Sequence, residues 1–182
     1  GSRITYSNHS MSELSSKKPK QSPSLKARAL RLLSLREYSR KELAIKLAQS
    51  ETRRAKANPE SLEQSAQVLP ADIDAVLDDF EARGWLSNER FAEALVRRRS
   101  ECYGVRKIAD ELERAGVDPK QSAQLLGSLK GSEFERAYAL WSRKYGQKAQ
   151  DQKERARQYR FLASKGFSSE VVTRIIGGQT PD

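Results

Sequence analysis

Cysteine and histidine are nearly absent from this chain of 182 residues, which contains one of each. The single cysteine, Cys102, excludes an intrachain disulfide and a cysteine-based metal site. The single histidine, His9, lies in the first ten residues, which we interpret as a remnant of cloning, with Met11 as the natural start. Since the chain also lacks a Walker-type phosphate loop and a catalytic pair of carboxylates, we predict a protein that is not an enzyme and uses no metal or cofactor.

Long apolar runs are absent as well. The mean hydropathy is −0.78 and no run approaches the roughly 18 apolar residues of a membrane span. So little apolar material favours several small cores in series over one large core. We expect a protein without a membrane segment, and the single cysteine fits a cytoplasmic location.

Charge is plentiful and uneven. Lys and Arg number 34 against 24 Asp and Glu, which gives a net charge of +10 and favours an anionic partner such as nucleic acid, although an acidic protein fits too. Residues 25–57 hold ten basic and three acidic side chains, residues 60–81 hold seven acidic and no basic ones, and residues 131–165 hold nine basic and four acidic ones. The molecule is therefore predicted to be electrically striped.

A repeated unit organises the sequence. Residues 112–127 align without a gap on residues 162–177 at an offset of 50, and an offset of 65 brings residues 29–47 onto residues 94–112. The pattern between glycines and prolines is helical almost throughout. We predict an all-α protein of three tandem three-helix repeats in an elongated, right- or left-curved array. The predicted parts are a cloning remnant and disordered basic tail (1–24), repeat 1 with an insertion at about 51–69 (25–86), repeat 2 (87–130), repeat 3 (131–178) and a tail (179–182).

Local signals predict where helices begin and end. Ser39 and Glu42 form a capping box, and Gly116 and Gly166 have the pattern of helix ends in the left-handed conformation. Asp118 and Pro119 have the pattern of a helix start. We also expect the second helix to fray beyond Gln49, residues 127–132 to form a turn between repeats 2 and 3, Cys102 to share a helix face with Phe91 and Leu95, and Trp85 to staple repeats 1 and 2 together.

Basic residues provide the candidate binding surface. Arg97, Arg98 and Arg99 are consecutive, so they spread over about 200° of a helix and cannot all face one way. Lys41 and Arg106 are equivalent in the repeat alignment, and both lie at helix starts, where the partial positive charge suits a phosphate or a carboxylate. The candidate partner- or DNA-binding residues are Lys41, Arg97, Arg99, Arg106, Lys107, Arg143, Lys144, Arg155 and Arg157.

Four segments together resemble the RecX family, the bacterial regulators of the RecA recombinase. They are Tyr-Ser-Arg-Lys-Glu-Leu (38–43), Gly-Trp-Leu-Ser-Asn-Glu-Arg-Phe-Ala (84–92), Gly-Val-Arg-Lys-Ile-Ala-Asp-Glu-Leu (104–112) and Lys-Gly-Phe-Ser (165–168). The resemblance covers about residues 25–178 in the order of the family, and residues 51–69 depart from a compact first unit.

The resemblance implies a cytoplasmic protein without catalysis of its own, built of three-helix units. It implies binding along the groove of the RecA filament on DNA, with contact to DNA directly or through RecA, and inhibition of RecA ATPase, strand exchange and coprotease activity. Recombination, DNA repair and the SOS response would be modulated as a result. We expect a monomer. The alternative from the residues alone is a sequence-independent DNA-binding module that acts without RecA.

Overall fold

The computed structural model describes residues 23–59 and 67–182, and in these ranges the backbone forms eight α-helices and no strand. This confirms the all-α prediction. The predicted cloning remnant, most of the basic tail and the centre of the predicted insertion lie outside the described residues. The helices are α1 (Leu25–Leu35), α2 (Arg40–Ala57), α3 (Pro70–Ala82), α4 (Asn88–Arg99), α5 (Val105–Arg114), α6 (Pro119–Lys144), α7 (Gln152–Ser164) and α8 (Ser169–Ile176).

Helices α1, α2 and α3 pack on one another and form the first unit. The capping box at the start of α2 is confirmed, because the Ser39 hydroxyl accepts from the Glu42 backbone N–H and the Glu42 carboxylate accepts from the Ser39 N–H. The unit closes at Gly84, whose φ of +75° is left-handed. Its core consists of Ala29, Tyr38, Leu43, Leu47, Ile73, Leu77, Phe80 and Leu86.

Helix α2 continues to Ala57, so the predicted fraying beyond Gln49 is wrong. The added turns are rich in good helix formers, and α1 braces them, since Arg28 donates to Ser50 at 2.6 Å and pairs with Glu51. The helix stops at Asn58, just before a proline. The first part of the predicted insertion is therefore an extension of α2.

Helices α4 and α5 pack with the first part of α6 and form the second unit. Gly116 ends this unit's middle helix with φ +79°, as predicted. Cys102, however, lies beyond the end of α4 and is exposed, because α4 stops at Arg99 and the chain turns there. The core consists of Phe91, Ala92, Leu95, Val105, Ile108, Leu112, Ala115, Val117 and Leu129.

Helix α6 passes from the second unit into the third without interruption, so the turn predicted at residues 127–132 is wrong. Two helix-interior glycines, Gly127 and Gly131, cost about 1 kcal/mol each relative to alanine. Side chains brace this stretch: Arg136 donates to the Leu129 carbonyl and to the Ser132 hydroxyl, each at 3.0 Å. The same helix buries Leu129 in the second core and, about two to three turns later, Ala137 and Trp141 in the third. This packing outweighs the cost of the glycines.

The second part of α6 packs with α7 and α8 and forms the third unit. A buried polar pair in this unit is satisfied: the Trp141 indole N–H donates to the Gln158 side chain at 2.9 Å, and Gln158 donates to the Gln147 carbonyl at 3.3 Å. Gly166 ends α7 with φ +91°, as predicted. The core consists of Ala137, Trp141, Leu162, Phe167, Val171, Val172, Ile175 and Ile176.

The negative charge of helix α3 is partly neutralised by Arg40 of α2. Arg40 contacts the carboxylates of Asp78 at 2.7 Å and Glu81 at 3.1 Å, and although burial lowers the pKa of Arg40, these partners leave it raised overall. Trp85 remains 44% exposed and its ring packs edge-on against Phe80. The described ring contacts of Trp85 thus lie within the first unit, and the predicted staple to the second unit is not found.

Candidate interaction surface

The junction between the first and second units is polar. The backbone N–H of Arg40, the first residue of α2, donates to the Asn88 side-chain oxygen at 2.9 Å. Asn88 in turn donates to Gln121 at 3.3 Å, and Arg90 pairs with Glu37 at 3.0 Å. The start of α2 is therefore attached to the start of α4 by directional bonds, which fix how the two units meet.

The junction between the second and third units repeats this plan. The N–H of Val105, the first residue of α5, donates to the buried carboxylate of Glu133 on α6 at 3.1 Å. The preceding Gly104 N–H donates to the Lys165 carbonyl at 2.8 Å, and Arg106 donates to the Ala163 carbonyl at 2.9 Å. Val105 and Arg40 are equivalent positions in the repeat. The backbone N–H at this position therefore attaches one unit to the next at both junctions.

Arg136 fixes the loop between α4 and α5 onto α6. Its guanidinium donates to the carbonyls of Ser100 at 2.7 Å and Tyr103 at 2.8 Å. Burial lowers the pKa of Arg136, and the nearby Glu133 carboxylate opposes that change. These contacts hold the Tyr103 backbone in place and so determine where the Tyr103 ring lies.

Two aromatic rings contact basic side chains at the junction between the second and third units. The Tyr103 ring centre lies 4.8 Å from the Lys107 nitrogen, 5.3 Å from the Lys165 nitrogen and 5.6 Å from the Arg99 guanidinium carbon. The Phe161 ring centre lies 4.6 Å from the Lys144 nitrogen and 5.6 Å from the Lys165 nitrogen. We call Arg99, Lys107, Lys144 and Lys165, with Tyr103 and Phe161, the ring-held cluster.

The lysines of the ring-held cluster keep their charge available. Arg99 pairs with Glu111 at 3.3 Å. Lys107, Lys144 and Lys165 form no ion pair with any carboxylate in the part of the chain that the structure describes. An aromatic face orients an ammonium group without cancelling its charge, so the three lysines present fixed positive charge to an external anion.

Metal-binding clusters and membrane-spanning helices are two further features that the described residues could contain. No group of three or more His, Cys, Asp or Glu among them is placed to hold a metal ion. None of the helices in residues 23–59 and 67–182 combines the length and apolar character that a membrane span requires.

Known proteins resemble this chain over most of its length. The regulatory protein RecX of Leptothrix cholodnii is 45% identical over 153 residues, which cover 84% of this chain and 87% of that protein. The regulatory protein RecX of Ralstonia nicotianae is 41% identical over 160 residues, covering 88% of this chain and 91% of that protein. The chain belongs to the RecX family. The family's second three-helix domain matches residues 87–126 and its third three-helix domain matches residues 132–176.

A solved structure supports the RecX fold. The crystal structure of RecX from Lactobacillus salivarius superposes with a TM-score of 0.62 and covers 84% of this chain and 92% of that one. The identity is only 19%, so the likeness concerns the helical repeat fold. The resemblance drawn from four short sequence segments is thereby confirmed at the level of family and fold.

The structure brings together some of the basic residues that the sequence selected. Arg99, Lys107 and Lys144 belong to the ring-held cluster, and Arg106 lies beside it, bonded to the Ala163 carbonyl. The other five are not joined to the cluster by any described contact. Lys41 lies at the first junction, Arg97 and Arg143 are exposed on α4 and α6, Arg155 lines a groove between α7 and α8, and Arg157 pairs with Glu154.

Sequence reasoning missed Tyr103, Phe161 and Lys165. One available signal was the alignment of Tyr103 with Tyr38, whose ring carries the Arg36 guanidinium at 3.6 Å. The expectation of a free anion site at the helix starts also changes. The start of α5 does receive a carboxylate, but Glu133 of the chain itself supplies it.

Proposed function

We propose that this RecX-family protein binds the RecA filament on DNA and inhibits RecA ATPase, strand exchange and coprotease activity. Recombination, DNA repair and the SOS response are modulated through that inhibition, in the cytoplasm and without catalysis by this chain. The names of its relatives support a regulatory role. The ring-held cluster is the observation that carries the proposal, because its three lysines offer fixed positive charge at the junction of two units.

The repeated construction suits a filament. Hydrogen bonds at both junctions fix the orientation of each unit relative to the next. They include the bond from the Arg40 N–H to Asn88 and the bond from the Val105 N–H to Glu133. A monomer with several such units contacts neighbouring protomers at once, and linked contacts raise avidity by about 10²-fold or more. Occupation of the filament groove then excludes a duplex or a repressor, or shifts the protomers away from their ATP-hydrolysing arrangement.

Co-sedimentation with RecA filaments on single-stranded DNA, compared with bare DNA at the same ionic strength, tests this proposal. We expect retention on filaments under conditions in which bare DNA retains little of the protein. Equal retention on both would instead favour a DNA-binding module that acts without RecA. That alternative also predicts a steep loss of affinity with salt, in proportion to the number of phosphates contacted.

A further inference from the structure

A groove in the third unit shares no lining residue with the ring-held cluster. It is an open cavity of about 630 Å³, and it lies between α7, α8 and the loop that precedes α7. Its basic lining residues are Lys148, Arg155 and Arg160, and its apolar lining includes Ala156, Tyr159 and Ile176.

The charge of the groove is of one sign. No carboxylate belongs to its lining. Within residues 23–59 and 67–182, Lys148, Arg155 and Arg160 form no ion pair, and the nearest acidic residue along α7, Glu154, pairs with Arg157 at 3.0 Å instead. The groove therefore attracts an anionic occupant.

The floor of the groove is apolar. Ile176 is 7% exposed and belongs to the third core, and the half-buried Tyr159 packs against the same core. Both residues are supported from below by packed side chains. An apolar side chain of an occupant would find a preformed contact surface here, at little cost in reorganising the protein.

One end of the groove is fixed by the turn after α8. Gly178 has φ +96° and donates its N–H to the Ile175 carbonyl at 3.0 Å. The Lys148 side chain lies along this turn, and a Cβ at Gly178 would approach its nitrogen to 3.4 Å. Lys148 is thus held against the C-terminal turn, and the groove carries basic residues along α7 and at its end.

We propose that this groove binds an acidic protein segment that inserts one apolar side chain between α7 and α8. Charge complementarity selects an acidic occupant, and the apolar floor distinguishes a peptide from a nucleic acid. Proteins that hold single strands commonly stack successive bases on aromatic faces, whereas this lining has one ring beside Ala156, Thr173 and Ile176. The proposal does not depend on RecA, because the groove is defined by the third unit alone.

Fluorescence anisotropy of the full chain with a labelled synthetic peptide tests the proposal. The peptide carries Glu and Asp around a single Leu, and its two matched versions replace the Leu with Ala or every acidic residue with its amide. We expect saturable binding, weakened roughly tenfold by the Leu replacement and more strongly by loss of the charges.

The protein variant R155E/R160E should bind the acidic peptide about tenfold more weakly than the unchanged protein. R143E/K153E is the matched control, because it changes the net charge equally and neither Arg143 nor Lys153, both exposed, lines the groove. Circular dichroism of the variants checks that the helices remain, and the peptide series tests the groove even if a variant fails to fold.

Three results would overturn the proposal. Binding that is indifferent to the Leu replacement would reduce the groove to a general basic surface. Oligothymidylate that binds with equal affinity and is lost in R155E/R160E would make it a nucleic-acid site. Self-association in sedimentation velocity that disappears in the same variant would assign the groove to a second copy of this chain.

Discussion

The ammonium group of Lys165 lies 5.3 Å from the centre of the Tyr103 ring and so connects the third unit to the second. The Lys165 carbonyl also accepts the Gly104 N–H at 2.8 Å, one residue beyond Tyr103. One residue thus contributes its backbone to the junction and its charge to the ring-held cluster. The shape of the junction and the position of the charge are therefore coupled.

Replacement of Arg136 by Met should lower the free energy of unfolding by about 2–4 kcal/mol. The change leaves the carbonyls of Ser100 and Tyr103 without this donor and removes a cation that interacts with the buried Glu133. Arg143→Met is the control, because Arg143 is exposed on the same helix, and it should stay within about 0.5 kcal/mol. Urea unfolding measures both, and equal stability of the two variants would show that the loop needs no anchor.

Sequence could predict the elements whose cause is local. The Ser39 and Glu42 side chains cap the helix that they begin, and Gly116 ends its helix through its own backbone freedom. Each signal lies within four residues of its effect, and the structure confirms both. The repeat alignment adds the equivalence of such positions between units.

The continuous α6 and the ring-held cluster could not be predicted in the same way. Helix formation through Gly127 and Gly131 depends on two cores and on bonds from Arg136, all of which exist only after packing. Tyr103 and Phe161 belong to different units, and their common neighbour Lys165 follows the second ring by four residues. The sequence shows that a residue is basic, but it does not show which aromatic ring orients that residue in the fold.

Gly166→Ala should destabilise the protein more than Gly116→Ala, and both more than Gly84→Ala. All three glycines have left-handed φ, which costs alanine about 1–2 kcal/mol. A Cβ at Gly166 would lie 2.5 Å from the Lys107 Cβ and 2.8 Å from its backbone nitrogen, and one at Gly116 would lie 2.9 Å from the Lys41 Cβ. A Cβ at Gly84 would have no neighbour within 4 Å.

Thermal unfolding measures this series, and Gly84→Ala isolates the cost of the backbone conformation. Equal losses at all three positions would mean that the units do not approach as closely as the structure places them.

Gly127→Ala and Gly131→Ala should each stabilise the protein, by up to about 1 kcal/mol. Both glycines lie within α6, neither has positive φ, and a Cβ at either would have no neighbour within 4 Å. Alanine reduces the conformational freedom of the unfolded chain and favours the helix. The midpoints of urea unfolding are compared for both variants and for Gly84→Ala, which should be destabilised. A loss of stability in either variant would indicate a turn at this position.

K107E/K144E should weaken binding to RecA filaments about tenfold at low salt and reduce inhibition of the ATPase in parallel. The junction should survive, because Gly166 contacts the backbone and Cβ of Lys107, which glutamate retains. The double variant K46E/R53E changes the net charge equally on exposed positions of α2 and should bind nearly normally. Equal weakening by the two double variants would show that the total charge matters and its place does not.

Tyr103→Leu should weaken filament binding about three- to tenfold without changing the net charge, whereas Tyr103→Phe should bind normally. The ring orients Lys107, Lys165 and Arg99, and each exposed cation–aromatic contact contributes about 0.5–1 kcal/mol. Leucine keeps an apolar side chain at this half-buried position, and Arg136 bonds only the backbone carbonyl, so the loop should stay in place. Co-sedimentation and ATPase titration at several salt concentrations compare the two variants. Full activity of Tyr103→Leu would mean that the lysines do not need the ring to hold them in position. An equal defect in Tyr103→Phe would mean that the phenolic hydroxyl, rather than the ring, makes the important contact.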